Sequence, residues 1–151
     1  MIASRLSITC LDLEGVLIPE VWIGLAQKTG IAELQLTTRD ISDYDVLMKH
    51  RLKILDEHHL TLHDLRQVVN TLEPLEGALE FLTWLRQRTE VIILSDTFRE
   101  FVTPLMAKLH YPTLFCHSLV LDDQQRILNY TLRQNDQKRH AVQALPGCLP
   151  H

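Results

Sequence analysis

The sequence lacks clustered positive charge and long apolar runs. Its 151 residues carry a formal net charge of -4 without a cluster of lysine and arginine, which argues against binding to nucleic acid or to an anionic membrane surface. No apolar stretch approaches the roughly 20 residues that a membrane-spanning helix requires. We therefore expect a partner that is a small molecule or a protein.

Cysteine is scarce as well. The sequence contains three cysteines, Cys10, Cys116 and Cys148. They form no CxxC pair, and their odd number does not suit a disulfide framework. Residues 1–9 are too few and too mixed in polarity for the apolar part of a signal peptide. We therefore expect a soluble, cytoplasmic protein whose cysteines are reduced.

What the chain does have is an apolar content of 46%, enough for one ordinary core. The apolar run Leu6–Leu11 predicts a strand buried on both faces. Residues 20–71 have a helical pattern throughout and predict a helical insertion. The amphipathic stretch 78–85 then leads into a β-branched run, Val91–Leu94. Strand, insertion, helix and strand begin a parallel α/β sheet with a right-handed crossover.

The rest of the chain predicts a helix, three short strands and a last helix. The apolar stripe 98–109 predicts a helix that either kinks at Pro104 or restarts there. Asn135 or Asp136 is expected to cap the last helix, which stops at Pro146. The strands between these helices are predicted at Thr113–Cys116, Ser118–Leu121 and Ile127–Leu132, the last two as a hairpin.

Reactive side chains follow the ends of the first two predicted strands. Asp12 and Glu14 come after the first strand, and Ser95 and Asp96 after the second, while Lys138 begins a later helix. Ligands of open parallel sheets bind beyond the carboxyl ends of the strands, so we expect these residues to converge. Two carboxyl groups, a hydroxyl beside helix amides and a lysine together suit a phosphoryl group.

The two carboxyl groups can divide the chemistry between them. Asp12 can attack phosphorus and form an aspartyl phosphate, which splits one difficult displacement into two easier ones. The attack of an anion on an anion requires neutralisation, which Mg²⁺ and a lysine supply. Glu14 can keep a proton beside the Asp12 charge and deliver it to the departing alkoxide.

Six segments together resemble the haloacid dehalogenase-like hydrolases of the phosphoserine phosphatase type. These segments are DLEGV (12–16), YDVLMKHRLKILDEH (44–58), PLEGALEF (74–81), VIILSDTF (91–98), PTLFCH (112–117) and LRQNDQKR (132–139). The resemblance runs from about residue 8 to 144 and is strongest to the bifunctional phosphoserine phosphatase/homoserine phosphotransferases. It implies a Rossmann-like α/β core from residues 1–18 and 73–151, with residues 19–72 inserted as a helical cap.

The resemblance also implies an activity. It implies a Mg²⁺-dependent phosphomonoester hydrolase or phosphotransferase that acts on phosphoserine, with water or homoserine as acceptor, and a homodimer is compatible with it. By resemblance Asp12 is the nucleophile and a Mg²⁺ ligand, and Glu14 is the acid/base whose carbonyl also binds the metal. Ser95, Asp96 and Lys138 would contact the phosphoryl group.

Two residues of the helical insertion complete the implied site. Glu20 would face the substrate amino group and Arg51 its carboxylate, and a guanidinium on an otherwise apolar stripe fits a bidentate carboxylate clamp. Other interpretations stay open from the residues alone. Glu20 also suits the first turn of a helix, Arg51 the edge of an apolar face, and Lys138 an exposed helix surface.

One part of the family pattern is missing. The family has a further strand that ends in an acidic GDSxND-like loop, whose first Asp completes the Mg²⁺ site. Here the sequence after Ala144 reads LPGCLPH, so we expect a C-terminally truncated core with an unrelated tail, an unpaired first strand and weaker Mg²⁺ binding. The alternative is an inactive remnant that binds phosphate, or a partner through the open edge. A receiver-type phospho-acceptor is disfavoured, because receivers have no helical insertion after the first strand.

Overall fold

A five-stranded sheet forms the centre of the molecule. The structure is a computed structural model and describes residues 6–145 and the backbone of 148–150. The strands are β1 (Ile8–Leu11), β2 (Glu90–Phe98), β3 (Thr113–Leu121), β4 (Ile127–Thr131) and β5 (Cys148–Pro150). Their order is β4-β3-β2-β1-β5, and all are parallel to their neighbours except β4, which is antiparallel to β3. The predicted α/β fold is confirmed.

In the part of the chain that the structure describes, six α-helices surround or precede the strands. They are α1 (Val21–Thr29), α2 (Tyr44–Glu57), α3 (Leu62–Asn70), α4 (Ala78–Arg86), α5 (Arg99–Lys108) and α6 (Gln137–Ala144), with a short 3-10 helix at Ala32–Gln35. Capping residues mark the ends of the helices within the insertion. Gly30 ends α1 with φ 74°, the Asp43 side chain caps α2, and Thr61 forms a capping box with Asp64 at α3.

The helical insertion shares one apolar core with the sheet. α3 packs against α5 and against α1. Trp22 of α1 places its ring edge-on to Phe101 of α5, with 5.2 Å between the ring centroids. Both side chains are buried, and each fully buried large apolar side chain stabilises the fold by about 2 kcal/mol. This packing holds the insertion over the edge of the sheet where the candidate residues lie.

Pro104 lies inside α5 without interrupting it. The sequence had allowed either a kink or a restart of the helix at this residue. A proline has no N–H to donate to the carbonyl four residues earlier, here that of Glu100. Arg66 of α3 supplies the missing donor, since its Nε donates to the Glu100 carbonyl at 2.9 Å. The helix therefore continues because a side chain from the insertion satisfies the freed carbonyl.

Two strands are longer than the sequence suggested. β2 continues through Ser95 and Asp96, which were expected to follow it, and its register with β3 shifts between Leu94 and Phe98. The two segments predicted on either side of His117 form a single β3. That strand pairs with β2 in its first part and with β4 in its second, so each part finds a partner without a break.

The prediction that the first strand is an unpaired edge is wrong. The backbone of β5 pairs in parallel with β1, and Ile8, Thr9 and Cys10 face residues 148, 149 and 150. A proline is tolerated in β5 because this strand lies at the outside of the sheet. The predicted helix stop at Pro146 lies outside the described residues, as do residues 147 and 151 of the tail.

The cysteines differ from one another. Cys10 is disulfide-bonded, so the expectation of reduced cysteines is wrong for this residue. Cys116 is free and buried, and burial raises the pKa of its thiol to about 11. In the part of the chain that the structure describes, no helix has the length and apolarity needed to cross a bilayer.

Candidate active site

One cavity of about 230 Å³ brings together all seven residues predicted for the site. Its sheet wall is formed by Asp12, Glu14, Ser95, Asp96 and Lys138. Its helix wall is formed by Glu20, Trp22, Ile23, Thr37, Thr38, Tyr44 and Arg51. The predicted convergence is therefore observed, after the end of β1 and within the last part of β2, although convergence alone assigns no role.

Asp12 and Lys138 form an ion pair at the mouth of the cavity. The Lys138 Nζ lies 3.2 Å from Asp12 Oδ1, which also accepts from the Leu13 N–H at 2.8 Å. The two side chains are 44% and 46% exposed, so the pair contributes little to stability. It nevertheless places a carboxylate and an ammonium where both can reach a bound ligand.

The turn after β1 directs Glu14 toward the first turn of α1. Gly15 adopts φ 78°, a left-handed conformation that costs other residues energy, and its N–H donates to the Ile18 carbonyl at 2.7 Å. Glu14 Oε1 accepts from the Val21 N–H at 2.9 Å. The Glu14 carboxyl is thus held at a fixed position beside Asp12.

Burial raises the pKa of Glu14 above its ordinary value. The neighbouring carboxylates of Asp12 and Glu20 raise it further, while the Val21 hydrogen bond and the Arg51 charge lower it. A carboxyl that keeps its proton more readily than an exposed glutamate suits a general acid.

Ser95 is the most deeply buried polar residue of the sheet wall. It is 1% exposed, and its Oγ accepts from the Thr97 N–H at 3.2 Å. Its carbonyl accepts from Gln137 Nε2, at the start of α6. Gln137 is itself buried, and its Oε1 has no hydrogen-bond partner among the described residues. Sequence analysis missed Gln137, because a glutamine beside a lysine on a polar helix carries no signal of burial.

Asp96 is held by a second residue that the sequence did not single out, His117 of β3. His117 Nε2 lies 3.1 Å from Asp96 Oδ1. That hydrogen bond is the main cause of a lowered pKa at Asp96, to which Lys138 adds, and burial opposes both. The available signal was a histidine at the end of the PTLFCH segment, in an otherwise apolar strand.

Arg51 is buried in the helix wall, and among the described residues no carboxylate lies within ion-pair distance of it. It is 7% exposed, and one terminal nitrogen donates to the Leu36 carbonyl at 2.9 Å. Its guanidinium carbon lies 4.6 Å from the centre of the Trp22 ring, and its Nε has no partner. Burial lowers the pKa of Arg51 to about 10, so it stays charged at neutral pH.

The other helix-wall contacts are weaker or link the two walls. Glu20 stands at the N-cap position of α1 without a side-chain capping bond, and both its oxygens lie 3.5 Å from the exposed Arg39. The Tyr44 hydroxyl donates to the Asp96 carbonyl at 2.7 Å. Tyr44 therefore joins the helix wall to the sheet wall.

The residues present do not fit a complete Mg²⁺ site. Mg²⁺ binds near-octahedrally to oxygen, with one or two carboxylates among its ligands. Asp12 offers one carboxylate, whereas an oxygen of Glu14 is occupied by the Val21 N–H. Across the side chains that the structure describes, no group of three or more histidine, cysteine, aspartate and glutamate residues could hold a metal.

Comparison with known proteins gives the family. No family model matches the chain. Phosphoserine phosphatase ThrH of Pseudomonas aeruginosa is 62% identical over 137 residues, which is 91% of this chain and 67% of that protein. A phosphoserine phosphatase of Pseudomonas syringae pv. tomato is also 62% identical over 137 residues, covering 91% of this chain and 58% of that protein.

A solved structure supports the fold. A substrate-bound phosphoserine phosphatase complex aligns with a TM-score of 0.71 at 15% identity, over 98% of this chain and 78% of that chain. This likeness concerns the fold, while the 62% identity to the curated relatives concerns the family. The chain, which spans about two thirds of one relative and less of the other, belongs to the phosphoserine phosphatase family.

Proposed function

We propose that this chain binds phosphoserine in the cavity and transfers its phosphoryl group through an aspartyl phosphate on Asp12. The observation that carries the proposal is the 3.2 Å pair between Lys138 and Asp12, in the same cavity as the buried Ser95. A nucleophile, a fixed positive charge and a hydroxyl then surround the place where a phosphoryl group would lie. The relatives named for phosphoserine point to the same substrate.

The proposed reaction has two displacements. In the first, an Asp12 carboxylate oxygen forms a bond to phosphorus while the bond from phosphorus to the serine oxygen breaks. The Glu14 carboxyl gives its proton to that serine oxygen, so free serine leaves. In the second, water attacks phosphorus, Glu14 takes a proton from it, and the bond to Asp12 breaks to release inorganic phosphate. The raised pKa of Glu14 supports its part as the acid.

The helix wall would hold the amino-acid end of the substrate. Arg51 is a buried cation without a carboxylate within ion-pair distance among the residues described, and the carboxylate of phosphoserine would supply one. Glu20 would face the ammonium group, since its present partner Arg39 is exposed and distant enough to be displaced. We propose on this basis that residues 19–72 act as the substrate-binding cap.

Three finer points belong to the same proposal. Homoserine could replace water in the second displacement, because its hydroxyl would meet the same phosphoryl group and the same Glu14. Mg²⁺ binding is expected to be weak, because no three acidic, histidine or cysteine side chains of the described residues are grouped closely enough to hold a metal. A homodimer stays a prediction, which sedimentation equilibrium would test.

A second candidate function is phosphoserine binding without turnover. It is favoured by the absence, among the described residues, of a group of three acidic, histidine or cysteine side chains that could hold a metal. The related idea, that a partner pairs with the open edge of β1, has lost its basis because β5 occupies that edge.

The decisive experiment measures binding and turnover separately. Phosphoserine affinity is measured by calorimetry, and phosphate release with and without added Mg²⁺, for the wild type and for Asp12→Asn. The matched control is Asp123→Asn, which removes an exposed carboxylate that does not line the cavity. Phosphate release that Asp12→Asn abolishes supports the enzyme, and binding without release supports the second candidate. Failure of the wild type to bind phosphoserine would contradict both.

A further inference from the structure

His117 is a buried histidine whose two ring nitrogens both have partners. It is 3% exposed and lies in β3 beneath the sheet wall. Its Nδ1 lies 2.9 Å from the backbone N of Arg133, and its Nε2 lies 3.1 Å from Asp96 Oδ1. A fully solvated histidine would make neither contact, so the ring is held in one orientation.

The contacts fix which nitrogen carries the proton. A backbone N–H can only donate, so Nδ1 must accept with its lone pair. The proton of the neutral ring is then on Nε2, which donates to the Asp96 carboxylate. The same bond holds the negative charge of Asp96 on the His117 side of the residue.

The Ser95–Asp96 segment is held by three side chains from three elements. Gln137 donates to the Ser95 carbonyl, Tyr44 to the Asp96 carbonyl and His117 to the Asp96 carboxylate. This segment lies where the register between β2 and β3 shifts, so the sheet itself does not fix it fully. A free carboxylate here would also repel a phosphoryl dianion, since like charges at close range cost energy.

We propose that His117 is a positioning residue for the phosphoryl end of the site. Its Nε2–H holds the Asp96 carboxylate against β3, and so keeps the Ser95 hydroxyl and the neighbouring backbone amides directed into the cavity. This inference rests on the proposed function, since it assumes that a phosphoryl group occupies the sheet wall. It differs from a packing role, which would need only the ring contacts of His117 with Phe98 and Tyr44.

Two substitutions separate the two ring nitrogens. In His117→Asn the amide lies near the Nδ1 position, so it can still accept from the Arg133 N–H but cannot reach Asp96. In His117→Gln the amide lies near the Nε2 position, so it can still donate to Asp96 but loses the Arg133 contact. Both variants lose the ring, so a packing role predicts similar effects.

The expected result is an unequal loss of affinity, measured by calorimetry with phosphoserine and with inorganic phosphate. His117→Asn should weaken binding of both at least about tenfold, equivalent to about 1.4 kcal/mol. His117→Gln should stay within about threefold of the wild type, since it keeps the charge-assisted bond. Equal losses in the two variants, or unchanged affinity in His117→Asn, would overturn the proposal.

A spectroscopic measurement separates this inference from the proposed function. Nitrogen NMR of the wild-type chain should show His117 with its proton on Nε2. Carbon NMR should show Asp96, which also faces Gln137 and Lys138, titrating at higher pH in His117→Asn than in the wild type or His117→Gln. These spectra test the His117–Asp96 bond even if phosphoserine does not bind, and the wild-type tautomer tests it if a variant fails to fold. A proton on Nδ1, or an unchanged Asp96 titration, would refute it.

Discussion

The charged side chains in the two walls of the cavity differ in whether they already have partners. In the sheet wall the charged groups already have partners, as Asp12 has Lys138 and Asp96 has His117. In the helix wall Arg51 is buried on the Trp22 ring and donates to the Leu36 carbonyl, and no carboxylate of the described residues lies within ion-pair distance of it. The sheet wall is thus arranged before a ligand arrives, while the helix wall is left to be completed by one.

This difference indicates how much each wall would contribute to the free energy of ligand binding. A buried charge without a counter-ion destabilises the folded chain, and a ligand carboxylate that pairs with it recovers that energy. The sheet wall gains less on binding, because its groups exchange existing partners for the phosphoryl oxygens. We therefore expect affinity for the whole amino acid to depend on the helix wall, and affinity for phosphate alone on the sheet wall.

The largest expected effect is that of Arg51→Met on phosphoserine binding. Loss of a desolvated guanidinium that pairs with a carboxylate typically costs about 2–4 kcal/mol, or roughly 30-fold to 1000-fold in affinity. Inorganic phosphate affinity should be unchanged, because that ligand has no carboxylate. Calorimetry with both ligands measures the contrast. The exposed Arg39→Met serves as control. An equal loss of affinity for both ligands would show that Arg51 does not act on the carboxylate of phosphoserine alone.

Lys138→Met should have a smaller effect, and on both ligands. Lys138 is 44% exposed, so its charge is partly screened and we expect roughly a tenfold loss of affinity. Phosphoserine and inorganic phosphate should be affected alike, since each offers the phosphoryl oxygens. The matched control is Lys53→Met, an exposed lysine of α2 that pairs loosely with Glu57. A loss confined to phosphoserine would place Lys138 with the amino-acid end instead.

Much of the fold could be predicted because local signals agreed with the final packing. The position of Asp12 directly after β1 and the helical pattern of residues 20–71 were both legible in the sequence. The partners of Asp96 were not, because His117 and Gln137 reach it through tertiary packing from distant elements. The pairing of β5 was also missed, because a short segment with two prolines has no strand signal of its own.

Glu14→Gln tests whether burial in the sheet wall disfavours the charged form of the Glu14 carboxyl. The pKa of Glu14 in the folded chain lies above its ordinary value of 4.5, chiefly because burial disfavours its charge. The folded chain then binds more protons than the unfolded chain between these two values, so stability falls as pH rises through that window. The Gln side chain can keep the Val21 hydrogen bond but does not ionise. In Glu14→Gln, the fall in stability with rising pH that Glu14 causes should therefore be absent.

The measurement is the free energy of unfolding in denaturant at a series of pH values from 4 to 8. The difference in the free energy of unfolding between wild type and variant reports the titration of Glu14, because the other titrating groups are common to both proteins. Above the window the variant should be the more stable of the two. The exposed Glu76→Gln should leave the dependence of stability on pH unchanged. If the curve of Glu14→Gln ran parallel to that of the wild type, Glu14 would not have the raised pKa assigned to it.

The smallest expected effect belongs to Tyr44→Phe, which breaks the link between the two walls. The change removes the hydroxyl that donates to the Asp96 carbonyl but keeps the ring against His117 and Tyr130. Loss of one such hydrogen bond should cost about 1 kcal/mol of stability, measured in denaturant against Tyr111→Phe, whose ring is exposed. Phosphoserine affinity should fall less than about threefold, because His117 and Gln137 still hold the Ser95–Asp96 segment. A loss as large as that of Arg51→Met would mean that the walls act as one unit, since removing a single link would then disable both.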